Sequence, residues 1–241
     1  MNSTHGFEKC LTFINCQLQA PPRPRFGDCE DVRNFRAITI SRQTGSGGHA
    51  VAEKLVERLQ SQEPADSRPW VVFDRNLVEK VLEDHNLPAC LAKFMPEDRI
   101  SQVSDTMDEL FGLHPPSWIL VRQTSETILR LAQLGHVILI GRGSNVITRK
   151  LPHVLHVRLV GSLEQRMKRL QELDGLNYKE ALRVADCEDL ARRRYLKQFF
   201  DKRIDDPLLY HLVINTDLIS LDEAARMIAL AVAPKALDLA A

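Results

Sequence analysis

The stretch AITISRQTGSGGHAVAEKL, residues 37–55, decides the fold. It begins with a short apolar segment typical of a buried strand and continues through a glycine-rich turn into apolar residues three and four positions apart, which predict a helix. Three of the four residues at 45–48 are glycine, so the backbone can curl closely around an anion. The helix that follows near His49 directs unpaired N–H groups and its positive dipole end into that curl. We therefore expect a strand–loop–helix unit that binds phosphate.

The loop matches the phosphate-loop pattern G-x-x-x-x-G-K-[ST] only in part. Gly47 matches the second glycine, but Arg42 stands at the first glycine position and Gly48 at the lysine position. The hydroxyl residue of the pattern is missing as well. A tight turn that binds no ligand is the alternative interpretation, because glycine is also the default residue of sharp turns.

Composition bounds the classes of protein to which the chain can belong. Its 241 residues, 44% of them hydrophobic, suffice for the core of one domain with or without a lid. Lys plus Arg and Asp plus Glu balance at 32 each, so net charge gives no support for general attraction to nucleic acids or membranes. The sequence has no 18-residue apolar run, and its N-terminus lacks a basic segment followed by an apolar one. We expect a cytoplasmic protein that binds neither a membrane nor nucleic acid.

The five cysteines are odd in number and form no C-x-x-C pair, which predicts reduced thiols rather than a disulfide framework. A zinc site built from His5, Cys10, Cys16 and Cys29 is an alternative, although its spacing fits none of the usual zinc patterns. We therefore assign no side chain as a metal ligand.

The first 36 residues are predicted to be an extension and linker in front of a domain that covers residues 37–241. An amphipathic segment at 7–18 precedes the run Pro21-Pro22-Arg23-Pro24, which cannot continue a helix. The segment is predicted to dock either on the main domain or on a second subunit of a homodimer, and the sequence leaves both open.

Five apolar segments alternate with helical patterns along the rest of the chain. They lie at 38–40, 70–73, 137–140, 154–159 and 212–214. Gly135 is predicted to end the long amphipathic helix at 117–134 as a left-handed cap. Alternation of strands and helices favours a parallel sheet covered on both faces, a three-layer α/β/α sandwich with five strands.

Polar residues follow these predicted strands at their carboxyl ends, where such sheets bind ligands. They are Arg42 with the glycines, Asp74 with Arg75, Arg142, and Asn215 with Thr216. A basic helical region at about 162–200 lies between the last two strands. Within it Arg166 and Arg169 are three residues apart, as are Asp189, Arg192 and Tyr195, which places each set on one side of a helix. Pairing on a solvated helix face is the alternative interpretation of that region.

From about Ala37 to Ile228 these motifs, in this order, resemble the cytidylate kinase-like family of P-loop nucleoside monophosphate kinases. The motifs are Ile38-Thr39-Ile40-Ser41-Arg42-Gln43 with Gly45-Ser46-Gly47-Gly48, Phe73-Asp74-Arg75, Ile140-Gly141-Arg142, Glu164-x-Arg166-x-x-Arg169, Asp189-x-x-Arg192-x-x-Tyr195 and Ile214-Asn215-Thr216. Each is weak alone, whereas the ordered set is specific.

The resemblance implies a P-loop nucleotide-kinase fold with a helical lid at about 162–200. It implies transfer of the γ-phosphate of ATP, with Mg²⁺, to CMP, dCMP or a related acceptor. The residues implied for cofactor binding are Ser41, Gly45, Ser46, Gly47, Gly48, His49, Asn215 and Thr216. Those implied for substrate binding are Asp74, Arg75, Arg142, Arg169, Asp189, Arg192 and Tyr195. Those implied for catalysis are Arg142, Arg166, Asp189 and Arg192, and we add Arg42 to them for the reason given next.

The chain departs from the family pattern in charge. The loop lysine is absent, and no carboxylate flanks Arg142 to hold magnesium waters. Arg42 lies on the same loop and is our candidate to replace the lysine, since a guanidinium grips phosphate oxygens well. Two further hypotheses stay open at this point: a nucleotide-binding regulatory protein that no longer transfers phosphate, and a kinase for another small acceptor.

Overall fold

The computed structural model of the protein describes residues 35–64, 67–74 and 119–232. Its strands are β1 (Ala37–Arg42), β2 (Val71–Phe73), β3 (Val137–Ile140), β4 (Val154–Val160) and β5 (Leu212–Asn215). Its α-helices are α1 (Gly48–Gln62), α2 (Ile119–Leu134), α3 (Ser144–Ile147), α4 (Leu163–Asp174), α5 (Tyr178–Phe200) and α6 (Leu221–Val232), and a 3₁₀ turn spans Pro207–Leu209. None of these helices is both long and apolar enough to cross a membrane.

The five strands form one parallel sheet in the order β2-β3-β1-β4-β5. β1 lies at the centre, where Ile38 is in register with Ile138 of β3 and with Leu155 of β4. The predicted five-stranded parallel sheet is therefore confirmed. The order also places the glycine-rich loop, which follows β1, in the middle of the edge where the strands end.

The two faces of the sheet differ in their side chains, as the two-residue repeat of a strand requires. Ile38 and Ile40 pack in one apolar cluster with residues of α1 and α6, such as Leu55 and Ile228. The intervening Thr39 lies on the opposite face, which α2 covers. This arrangement gives the three layers that the sequence predicts.

The basic region between β4 and β5 is two helices rather than one. Gly175 ends α4 in the left-handed conformation, φ +67°. Asn177 then begins α5 with a capping box, in which its side chain accepts from the Glu180 N–H while the Glu180 carboxylate accepts from the Asn177 N–H. Cap signals of this kind are visible in the sequence. The two helices pack on each other through Met167, Leu170, Ala181 and Ala185.

A buried histidine on β4 makes the stability of the fold depend on pH. Nδ1 of His156 lies 2.8 Å from Oγ1 of Thr39, and its ring stacks on that of His211 at 5.0 Å. Burial lowers the pKa of His156 to about 3, and the neighbouring charges of His211 and Arg149 act in the same direction. The folded protein therefore keeps this imidazole neutral at pH values where the unfolded chain protonates it.

Stability is accordingly expected to fall as pH drops below the unfolded-state pKa of about 6.5, because the unfolded state then binds one proton more. Between pH 7 and pH 5 the loss from this group is about 2 kcal/mol. Urea unfolding of the wild type and of His156→Gln at both pH values measures it, and the variant should show a flatter pH dependence. His49→Gln, a change at an exposed histidine, is the control. Equal slopes for His156→Gln and wild type would contradict the assignment.

Candidate active site

The candidate site lies along the edge of the sheet where the parallel strands end. Arg42 ends β1, Asp74 follows β2, Gly141 and Arg142 follow β3, and Thr216 follows β5. The β1 loop lies at the middle of this edge. Ligands of open parallel sheets bind at such edges, because helix N-termini and loops converge there.

The β1 loop has a backbone shape that only glycine adopts readily at two positions. Gly45 and Gly47 have φ of +80° and +85°. The Ser46 hydroxyl donates a hydrogen bond of 2.7 Å to the Gln43 carbonyl, which closes the turn. The side-chain oxygen of Gln43 accepts a hydrogen bond of 3.0 Å from the Gly161 N–H. The 15-residue helix α1 begins directly after Gly47, and its first turn contains no acidic residue. The loop therefore offers backbone N–H groups and a positive helix end to an anion.

Helix α5 meets the loop through a cluster of charged groups around Thr44. The Thr44 N–H donates to Asp189 Oδ1 at 2.9 Å, and its hydroxyl lies 2.8 Å from the same oxygen and 3.1 Å from Glu188 Oε2. Arg166 Nη1 donates at 2.9 Å both to Asp189 Oδ2 and to the Thr44 carbonyl. Arg192 Nη1 donates to the Thr44 hydroxyl and, at 2.9 Å, to Asp189 Oδ1. Asp189 thus joins Arg166 of α4 and Arg192 of α5 to the loop.

Arg169 ties α4 to the segment that follows β5. Its guanidinium donates to the hydroxyl of Thr216 at 3.0 Å and to the Thr216 carbonyl, and reaches the Gly45 carbonyl at 3.5 Å. The Thr216 hydroxyl in turn donates to the Val160 carbonyl. Arg169 and Thr216 therefore lie beside the loop on the β5 side.

The side chain of Arg42 passes beside Gly48, the position of the loop lysine, and its guanidinium reaches Gly141. A Cβ placed on Gly48 would lie 3.1 Å from Cγ of Arg42, and one on Gly141 would overlap with Nη1 of Arg42. Burial lowers the pKa of Arg42 to about 10, as does the charge of Arg192, while Glu188, Asp74 and Asp189 raise it. The guanidinium stays protonated at neutral pH, and its charged neighbours lie on α5 and at the end of β2.

Arg142 and Tyr195 lie together on the β3 side of the site. Arg142 has a left-handed backbone, φ +53°, between Gly141 and Gly143. The Tyr195 ring approaches Gly143 and packs against Phe200. Burial raises the pKa of the Tyr195 hydroxyl, and the charge of Arg142 partly opposes the shift. Tyr195 is six residues from Asp189, so it lies about 120° around the helix from it and faces Arg142 rather than Thr44.

Ser41 has partners other than a ligand. Its hydroxyl accepts from Nη1 of the buried Arg158 at 2.9 Å and from the Tyr210 hydroxyl at 3.3 Å. The other end of the Arg158 guanidinium donates to Asp205 Oδ1 at 2.7 Å. These contacts connect the end of β1 with the segment that follows α5.

Two predicted site residues, His49 and Asn215, are exposed. The Asn215 side chain accepts from the Asp217 N–H in a turn. Arg75 lies outside the described residues, as do the N-terminal extension up to residue 34 and the histidine and cysteines of the zinc alternative.

Sequence reasoning missed Thr44, Glu188 and Arg158. Arg158 had a signal, because a charged residue inside a strand that is apolar except for His156 must find partners when buried. Thr44 and Glu188 had none, since their contact spans 144 positions of sequence.

Magnesium is the metal implied by the resemblance, and this site fits it only when substrate phosphates supply part of the coordination. Within the described ranges no three His, Cys, Asp or Glu side chains form a group that could hold a metal ion. Mg²⁺ commonly takes one or two carboxylates, water and substrate phosphates instead of an all-protein cage. Asp189 and Glu188 beside the loop, and Asp74 at the end of β2, are described carboxylates that match this chemistry.

A five-stranded parallel sheet, a glycine loop that runs from β1 into α1, and a helical pair that closes on the loop together define a P-loop kinase type of fold. The chain belongs to the cytidylate kinase-like family, whose model matches residues 37–218.

Curated relatives named cytidylate kinase match part of the chain, and one solved structure shares its fold. The cytidylate kinase of Pyrobaculum aerophilum is 34% identical over 107 residues, which are 44% of this chain and 57% of that protein. The cytidylate kinase of Pyrobaculum islandicum is 33% identical over 97 residues, 40% of this chain and 52% of that protein. The matched stretch thus spans little more than half the length of these relatives. The crystal structure of an uncharacterized protein from Eubacterium ventriosum shares the fold, with a TM-score of 0.62 and 22% identity, covering 83% of this chain and 98% of that one.

Proposed function

We propose that this protein is a nucleoside monophosphate kinase that transfers the γ-phosphate of ATP to CMP, dCMP or a related acceptor. The observation that carries the proposal is the convergence of lid arginines Arg166 and Arg192 on the glycine loop at Thr44. Phosphoryl transfer needs little covalent work from a protein. It needs two anions aligned and the charge of the transferred group stabilised, and loop amides and arginines supply this. Family membership and the names of the curated relatives support the nucleotide as substrate.

Each part of the site has a role in this proposal. The loop from Gly45 to Gly48, with the first turn of α1, binds the donor phosphates, and Arg169 with Thr216 lies on the donor side. Asp74, Arg142 and Tyr195 lie on the acceptor side, where Arg75 is also assigned. Arg42, Arg166 and Arg192 stabilise charge on the transferred group, and Asp189 positions the two lid arginines beside the loop before the nucleotide binds.

Mg²⁺ would enter with ATP and would supply neutralisation of phosphate charge. The proposal also takes 37–241 as the kinase domain, 162–200 as its lid and 1–36 as an extension.

A second candidate function is a nucleotide-binding regulatory protein without transferase activity. One observation favours it: Gly48 stands at the position of the loop lysine, and losing a cation at that place can cost an enzyme its rate. The side chain of Arg42, which passes beside Gly48, favours the kinase instead.

A coupled assay with ATP, Mg²⁺ and a panel of acceptors, CMP, dCMP, UMP, AMP and GMP, tests these proposals. We expect turnover with CMP or dCMP above that with any purine monophosphate. Binding of ATP by calorimetry without turnover on any acceptor would favour the regulatory protein. Turnover confined to a different acceptor would keep the kinase and replace its substrate.

A further inference from the structure

The loop's contact with helix α5 is made by two carboxylates. Asp189 accepts from the Thr44 N–H and from both Arg166 and Arg192, and Glu188 accepts from Arg192 Nη2. The Arg166–Asp189 pair is largely buried, with side chains 9% and 11% exposed. A carboxylate that accepts a loop amide and arginine N–H groups makes the same contacts that a phosphate makes at such a loop.

Apolar packing holds α5 on either side of this contact. Toward its start, Ala181 and Ala185 pack on α4. Toward its end, Leu196 packs with Val146, Ile204 and Leu209. Between Ala185 and Leu196 the helix buries no residue fully, and the turn at 188–192 meets the loop through charged and polar groups. Such contacts can exchange partners at small cost when another anion offers the arginines equal hydrogen bonds.

We propose that Glu188 and Asp189 form a latch, an internal substitute for phosphate that holds the lid on the loop until nucleotide arrives. The incoming phosphate displaces the carboxylates, because two anions repel each other at one set of donors, and it takes over Arg166 and Arg192. The latch lowers the affinity of the loop for phosphate and keeps the lid arginines in place near it. This inference rests on the proposed function, since it assigns a regulation to the same phosphate site.

Glu188→Gln tests the latch in the full chain, with inorganic tripolyphosphate and ATP as separate probes in calorimetry. Removing one latch charge from a half-exposed residue is expected to lower the Kd for tripolyphosphate roughly 3- to 10-fold. The matched control is Asp186→Asn, which removes the same charge from an exposed position of the same helix and should change Kd by less than about 2-fold. In a Thr44→Val background, which deletes the loop hydroxyl, the effect of Glu188→Gln should shrink.

Hydrogen exchange of the loop amides is a second measurement. Removing a charge that does not contact the loop would leave these exchange rates unchanged. Without ligand, residues 44–48 should exchange faster in Glu188→Gln and Asp189→Asn than in the wild type, and tripolyphosphate should bring all three proteins to similar protection. An unchanged or weaker tripolyphosphate affinity in Glu188→Gln overturns the latch, as does equal tightening in Asp186→Asn. Tighter tripolyphosphate binding in Glu188→Gln, in a protein that transfers no phosphate, supports the latch and contradicts the kinase.

Discussion

Arg42→Ala is expected to lower kcat and kcat/KM together by about 10³-fold, because an arginine at the transferred phosphoryl group acts mainly in the transition state. Arg42 lies over Gly48, where the usual loop pattern has its lysine, and keeps its proton at neutral pH since its pKa is about 10. Steady-state kinetics with the best acceptor of the panel measures the effect. A residue that only aids binding would raise KM and leave kcat nearly intact.

Two further variants sharpen this result. Arg42→Lys should rescue only in part, since an ammonium lacks the fork that grips two phosphate oxygens. The double change Arg42→Gly with Gly48→Lys moves the cation to the usual position and rebuilds G-x-x-x-x-G-K. It should therefore recover at least about 10-fold in kcat over Arg42→Gly alone.

The matched control for Arg42 is Arg193→Ala. Arg193 is a half-exposed lid arginine 3.7 Å from Asp205, so its loss should leave kcat within about 2-fold. Wild-type turnover in Arg42→Ala would contradict the replacement of lysine by Arg42. Arg166 and Arg192, which both donate to Thr44, would then be the candidates to replace the lysine.

The sheet could be predicted from sequence because each strand and its end carry local signals. The apolar runs at 137–140 and 154–159 fall within β3 and β4, and Gly135 takes the left-handed φ of +78° expected of its cap. Burial on both faces makes such strands apolar throughout, so they stand out from the amphipathic helices between them. The sequence contains no such local signal for the order of the strands in the sheet, which only the structure shows.

The contacts that assemble the site could not be predicted from the sequence, because they join positions far apart in the chain. The spacing of Asp189 and Arg192 predicts that they neighbour each other on a helix, and they do at 2.9 Å. Nothing local states that Asp189 also accepts from the Thr44 N–H, 145 positions away.

The break at Gly175 and Asn177 is the opposite case. Its cap residues are local, so the division of the basic region into α4 and α5 could have been predicted.

Gly47→Val is expected to abolish measurable nucleotide binding, lowering affinity at least about 10²-fold. Two or more charge-assisted bonds from loop amides would be lost, and each contributes about 1.5–3 kcal/mol. Gly47 has φ +85°, a conformation that a β-branched residue such as Val rarely adopts, so the loop backbone must change. A Cβ there would also lie 2.6 Å from Cδ2 of Leu221, so that side chain must move as well. Calorimetry with ATP measures the loss.

Gly175→Ala separates loss of the loop from general backbone strain. Gly175 also has a positive φ, +67°, but a Cβ there meets no atom within 4 Å. Both variants bear the left-handed strain of about 1–2 kcal/mol, which urea unfolding reports. Only Gly47→Val distorts the loop, so Gly175→Ala should bind ATP as the wild type does. Unaltered ATP affinity in Gly47→Val would mean that the glycines serve a tight turn without a ligand, because an anion held by loop amides cannot tolerate their displacement.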